Sequence, residues 1–142
     1  MFEVSVEETF AAGHALRGYR GKCENVHGHN YKVRVTLQGP ELGSIGLLFD
    51  FKDLKDAIHS TVRKLDHQFL NDLAPFDAVN PSAENLAKYF FDEITSVLGE
   101  NGAKSNPSAP CSVQQVTVWE TDTTTASYFA SQESEARSQK SE

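Results

Sequence analysis

Three histidines, His14, His27 and His29, bracket one cysteine, Cys23, near the start of the chain, and a single glycine separates the last two in the run His27-Gly28-His29. Neutral imidazole nitrogen is a good zinc ligand, and three protein ligands leave a further position for water or a reactant, as catalytic zinc requires. The thiol reads two ways. As a fourth ligand, Cys23 closes a tetrahedral, structural site. As a free group beside a metal and the basic side chains of Arg17, Arg20 and Lys22, it has a lowered pKa and can remove protons. The same basic residues form a small patch suited to phosphate, or are ordinary loop charges.

Two weaker signals accompany the cluster. In Asp66-His67 the carboxylate can orient or charge the imidazole as a proton carrier, although such dipeptides are ordinary at helix ends. Glu120 falls at an inward-facing strand position, where a buried carboxylate demands a hydrogen-bonding partner or a ligand. It can accept two parallel hydrogen bonds from an amidine-like ring edge such as that of guanine or a pterin. The plainer reading is a strand-end glutamate that reaches solvent.

Strands must carry these groups. In extended chain, side chains at i and i+2 leave the same face, so His27, His29, Tyr31, Val33, Val35 and Leu37 share one face and Lys32, Arg34, Thr36 and Gln38 the other. Phe2, Val4, Val6, Phe10, Ala12 and His14 repeat the pattern earlier, with Glu8 breaking the run. If the two strands pair as neighbours, all three imidazoles converge.

A Gly- and Pro-containing turn over 39–46 leads to a helix capped by Asp50, whose buried stripe is Phe51, Leu54, Ile58, Val62 and Leu65. Asp66 and His67 then lie at its end, and His59, off the stripe, is expected in solvent. Asn80-Pro81 predicts a second helix, with Asn80 as cap and Pro81 in the first position, running along Ala83, Leu86, Ala87, Phe90, Ile94, Val97 and Leu98 to a stop at Gly99. A long connection over 100–110 and two strands, 112–120 and 124–130, complete the domain. The pattern is α+β: an antiparallel four-stranded sheet with two helices inserted between strands 2 and 3. Its open edges invite association, so an oligomer is expected.

The 142 residues, 39% of them hydrophobic, suffice for one domain over 1–130, and the polar stretch 131–142 is expected to be disordered. A net charge of −7 without a Lys/Arg cluster argues against nucleic acid as partner. No apolar run approaches the ~18 residues that a membrane span requires, and the chain opens directly on a strand pattern, so a cytoplasmic protein is expected. Cys23 and Cys111 are expected to be free thiols, Cys111 without a chemical role.

The ordered motifs resemble a known family, the 6-pyruvoyl-tetrahydropterin and 6-carboxy-tetrahydropterin synthases, with their tunnelling fold. The matching pieces are Phe10-Ala-Ala-Gly-His14, Cys23-Glu-Asn-Val-His27-Gly-His29-Asn-Tyr31, Phe49-Asp-Phe51, Leu65-Asp-His67 with Leu70-Asn71, Pro81-Ser-Ala-Glu-Asn85 and Val116-Thr-Val-Trp-Glu-Thr121. The resemblance implies Zn2+ on His14, His27 and His29, Cys23 as the proton-abstracting residue with Asp66 and His67 as relay partners, Glu120 anchoring the pterin ring, and Ser82 and Glu84 lining the pocket. It also implies a homo-oligomer, a trimer or dimer of trimers, in which strands close into a barrel and sites lie at subunit interfaces.

Three residues separate Cys23 from His27, which is similar to the 6-carboxy-tetrahydropterin synthases of queuosine biosynthesis; the pyruvoyl-forming enzymes usually have a longer gap. The implied substrate is 7,8-dihydroneopterin triphosphate and the implied products are 6-carboxy-5,6,7,8-tetrahydropterin, acetaldehyde and triphosphate. The chain departs from the family pattern in Gly13, where alanine is usual, and Ser82, where threonine is common. Glu24 beside Cys23 stands near the position of a glutamate in relatives that make a folate intermediate. The alternatives are thus a pyruvoyl- or hydroxymethyl-pterin-forming relative and, from another class, a zinc-stabilised binding module.

Overall fold

A computed structural model describes residues 1–101 and 109–131, except the side chains of Cys23, Glu100 and Asn101. The elements run β1 (Phe2–His14), β2 (His27–Gly39), α1 (Phe51–Leu65), β3 (Gln68–Phe69), α2 (Ala83–Asn101), β4 (Ser112–Thr121) and β5 (Thr124–Phe129). The sheet order is β3-β1-β2-β4-β5. Both helices pack on one face of the sheet, α1 against β1 and α2 against β4 and β5.

Alternation builds the core. Tyr31, Val33, Val35 and Leu37 of β2 are wholly buried beneath the helices, beside Val6 and Phe10 of β1 and Val113, Val116 and Val118 of β4. Leu54, Ile58, Val62 and Leu65 of α1 and Leu86, Ala87, Phe90 and Ile94 of α2 close over them. The opposite face carries Lys32 and Arg34, whose cationic groups lie 4.2 and 4.9 Å from the Trp119 ring and share Glu7. At the end of β2, Gly39 is sterically required, because a Cβ there would come within 2.5 Å of the Pro110 carbonyl oxygen and 2.6 Å of Leu48 Cδ1.

Four sequence expectations need correction. The sheet has five strands and is mixed, since Gln68–Phe69 pairs parallel with Ala12 and Gly13; two residues are too few to show alternation. Helix α2 starts later than Asn80-Pro81 predicts: Ser82 Oγ accepts from the Asn85 amide at 3.1 Å and is the cap. It also continues past Gly99 to Asn101. Phe51, assigned to the buried stripe of α1, is 52% exposed: it is the first helical residue, next to the Asp50 cap that accepts from the Lys52 amide, and burial begins at Leu54.

Glu8, which breaks the pattern of β1, accepts from His59 Nδ1 at 2.8 Å, so each explains why the other is off its apolar stripe. The part of the 100–110 connection at 102–108 and the tail at 132–142 lie outside the described residues. Among the described residues no helix is long and apolar enough to cross a membrane.

Candidate metal centre

Antiparallel pairing of β1 with β2 sets His14 opposite His27 and Ala12 opposite His29. The three imidazoles therefore leave one face within a single pleat of each other. Their ring centroids are 4.5 Å (His14 to His27), 5.0 Å (His14 to His29) and 4.8 Å (His27 to His29) apart, all edge to face. Tyr31 forms the floor, its ring edge-on to His14 and His29 and stacked on Phe10 at 5.0 Å.

Two rings are oriented from behind. His14 Nδ1 donates to the Pro81 carbonyl and His27 Nδ1 to the Asn25 carbonyl, each at 2.7 Å. A carbonyl only accepts, so each neutral ring carries its proton on Nδ1 and presents a lone pair at Nε2. Those Nε2 atoms are 2.9 Å apart. Two lone pairs at that distance repel unless a cation lies between them.

The third ring completes the argument. His29 Nε2 is buried without a hydrogen-bond partner among the described residues, although Glu120 Oε1 lies 2.9 Å away, because the contact is off the hydrogen-bonding direction. Burial holds the His29 pKa below its ordinary value; the Glu120 charge opposes that, and His14 and His27 add to the lowering. Neutral rings with converging lone pairs are the form a divalent cation binds. Among the described residues, the ligand atoms of His14, His27, His29 and Glu120 all lie within 4.8 Å of one another. These donors fit zinc and its first-row neighbours.

The dipeptide Asp66-His67 sits where α1 ends. Asp66 caps the helix with its amide on the Val62 carbonyl, and His67 takes a left-handed φ of 61°, uncommon for a residue with a Cβ. The His67 amide donates to the Ala11 carbonyl, and Asp66 Oδ1 accepts from the Ala11 amide at 2.9 Å. Asp66 Oδ2 stands 3.0 Å from His67 Nδ1. The Ala11 amide, with smaller help from His67, holds the Asp66 carboxyl below the usual carboxylate range. The two side chains form an ion-pair contact, and that of His67 is 82% exposed. His29 and His67 line one open cavity of about 500 Å³ with Ala11, Gly13, Asn30 and Phe69.

The other sequence candidates stand as follows. The backbone of Cys23 lies in the short 3-10 turn Lys22–Glu24 between β1 and β2; its side chain is outside the described structure. Ser82 spends its hydroxyl on capping α2, directly after the carbonyl that orients His14, and Glu84 is exposed in the first turn. Arg17 donates to the Phe76 carbonyl and to Asn80, so of the basic patch this residue serves the fold. A Cβ on Gly13 would meet the His27 carbonyl at 3.5 Å, ordinary contact, so the departure from alanine is sterically neutral.

Sequence reasoning missed two positioning residues. Asn71 brackets the backbone of Ala15, accepting from its amide and donating to its carbonyl at 2.9 and 2.8 Å. Asn80 does the same for Arg17 at 2.9 Å in each direction. Both pin the chain that leaves His14 by imitating a strand partner. Asparagine in a loop gives no sequence signal for that.

A helix-backed sheet with three convergent imidazoles at one end defines a small α+β protein with a candidate metal centre. The family profile described as 6-pyruvoyl tetrahydropterin synthase matches residues 3–131, and the chain belongs to that family, a lyase-type family of enzymes. It is similar to a Synechocystis protein named 6-carboxy-5,6,7,8-tetrahydropterin synthase, 30% identical over 135 residues covering 92% of this chain and 95% of that one. It is also similar to a Drosophila melanogaster 6-pyruvoyl tetrahydrobiopterin synthase, 39% identical over 101 residues covering 61% and 60%. The solved structure of Caenorhabditis elegans 6-pyruvoyl tetrahydropterin synthase superposes with a TM-score of 0.74 at 31% identity, covering 92% of this chain and 98% of that one.

Proposed function

We propose that this enzyme converts 7,8-dihydroneopterin triphosphate, with one water, into 6-carboxy-5,6,7,8-tetrahydropterin, acetaldehyde and triphosphate, in the cytoplasm and on the route to queuosine. The observation that carries the reading is the pair of facing Nε2 lone pairs on His14 and His27, each enforced by a carbonyl on Nδ1. The product assignment is supported by relatives named 6-carboxy-tetrahydropterin synthase and by the three-residue gap from Cys23 to His27.

His14, His27 and His29 would hold zinc. When bound, the ion supplies Lewis-acid stabilisation of charge on the oxygens of the substrate side chain. Cys23, as thiolate, removes a proton from that side chain. His67, with Asp66 3.0 Å from its Nδ1, takes or returns the second proton. Glu120 accepts the paired N–H groups of the pterin edge, and Ser82 and Glu84 line the pocket. Residues 1–130 act as one pterin-binding domain. The two-residue strand β3 and the strand β5 leave both sheet edges open, which supports a homo-oligomer, a trimer or dimer of trimers.

The test is to incubate the zinc-loaded full-length protein with 7,8-dihydroneopterin triphosphate and to follow acetaldehyde and product mass. Absence of acetaldehyde overturns the reading. A pyruvoyl product or a 6-hydroxymethyl pterin by mass reassigns the branch, the latter pointing to Glu24, which is exposed beside Cys23. Cys23→Ala is expected to keep its metal and lose turnover. A thiolate-to-cobalt charge-transfer band in the Co(II) protein that disappears in this variant favours a structural zinc module instead. Sedimentation equilibrium gives the assembly, and a monomer at micromolar concentration rejects the proposed oligomer.

A further inference from the structure

His14 is the imidazole whose aim depends on a distant part of the chain. It is wholly buried, and its Nδ1 donates to the carbonyl of Pro81, 67 residues further on. His27, by contrast, is held by the carbonyl of Asn25, its near neighbour in sequence. The Pro81 carbonyl belongs to no ladder, because residues 80–82 lie in neither helix nor strand and proline has no amide with which to anchor itself. Its direction must be fixed from outside.

Asn85 does so on both sides. Its Nδ2 donates to the Asn80 carbonyl at 2.8 Å, and its amide donates to Ser82 Oγ at 3.1 Å. The first bond holds the peptide group before Pro81 and the second holds the residue after it. The proline ring fixes φ between them, so the torsion that turns the Pro81 carbonyl is restrained at both ends. The Asn80 side chain also brackets Arg17, which ties the chain leaving His14 to the segment that carries its acceptor.

Asn85 is the third residue of α2, where a Glu or Gln side chain commonly reaches back to the cap amide. Here the side chain passes the Ser82 cap and takes a carbonyl instead. That contact needs a donor, so an amide serves where a carboxylate fails.

We infer that Asn85 is a positioning residue for the metal centre: by straddling Pro81 it holds the carbonyl that aims the His14 ring, and through that ring it sets metal affinity without touching the ion. The inference rests on the reading of His14, His27 and His29 as metal ligands. It goes further in assigning part of the metal affinity to a side chain on the helix.

The experiment uses the full-length protein, with metal bound and after chelation. Asn85→Asp is isosteric, and a carboxylate in the first turn suits a helix N-terminus, so the circular dichroism is expected to persist. The variant has no donor for the Asn80 carbonyl. Its Co(II) affinity, by chelator competition, is expected to fall about tenfold, the lower end of the loss when an outer partner of a ligating histidine is removed. In 1H–15N spectra the His14 Nδ1 proton is expected to exchange with solvent several-fold faster, with Zn2+ bound and without. Asn85→Gln, which keeps an amide donor on a longer arm, should recover part of both effects and serves if the aspartate variant does not fold. Leu86→Ala loosens the same helix by removing a wholly buried side chain, yet is expected to leave the His14 exchange and the Co(II) affinity near wild type. Wild-type affinity and exchange in Asn85→Asp overturn the inference. An equal loss in Leu86→Ala does the same, since Asn85 then serves only the helix. Wild-type protein that takes up no Co(II) overturns the metal reading and the claim on affinity, and the His14 exchange alone then decides whether Asn85 holds the ring.

Discussion

The two halves of β2 have the same backbone and the same inward face, yet one is core and the other is chemistry. From Tyr31 to Leu37 the inward residues lie under α1 and α2 and are wholly buried. From His27 to His29 the inward positions are filled by imidazoles that are only partly covered. Alternation therefore decides which residues face inward, and the cover above them decides what they can do. Apolar side chains exclude everything in the first half. In the second, the His27 ring, locked by the Asn25 carbonyl, turns its Nε2 to that of His14 on β1, which the Pro81 carbonyl locks in the same way.

The sharpest break of this contrast is at the chemical end. His14→Ala is expected to abolish tight metal retention and to lower turnover by at least a thousandfold while the apo fold persists, measured by metal content, acetaldehyde release and circular dichroism. In wild type, zinc at about a hundred times its Kd is expected to add about 2.7 kcal/mol of stability; His14→Ala should show no such gain on thermal melting. Leu37→Ala tests the other half. Removing a fully buried leucine is expected to cost about 2–5 kcal/mol in denaturant unfolding, with metal affinity close to wild type in the population that remains folded.

Much of this contrast is legible in the residues. The parity of His27 and His29 with Tyr31 and Val33 announces one shared face, and the spacing of Leu54, Ile58, Val62 and Leu65 announces the helix that ends at Asp66. What could not be read depends on contacts between segments remote in sequence. β3 exists because the turn at His67 delivers Gln68 and Phe69 beside Ala12 and Gly13. The cap passes from Asn80 to Ser82 because Asn80 is engaged in bracketing Arg17. Glu120 reads as inward-facing, but its approach to within 2.9 Å of His29 Nε2 depends on how two strands remote in sequence meet, which no local pattern encodes.

Two smaller effects sharpen the boundary between site and scaffold. Ser82→Ala removes the cap of α2 and is expected to cost about 1 kcal/mol by thermal melting. Because the preceding carbonyl orients His14, metal affinity should fall modestly in the same variant. Asp66→Asn gives the mildest change in stability, and that change depends on pH. The Asp66 pKa is depressed in the folded protein, so its stabilising contribution is present above the ordinary carboxylate pKa and is lost as pH falls through the folded value. Melting curves of the two proteins should therefore separate at neutral pH and merge in acid; a gap that is independent of pH contradicts this account.

The anchors of His14 and His27 are peptide carbonyls of Pro81 and Asn25. Every amino acid carries that group, so no point substitution at those two positions deletes it. The grip on the rings is inherited from the path of the chain, and evolutionary drift or laboratory redesign can change the side chains at 25 and 81 while the imidazoles keep their aim.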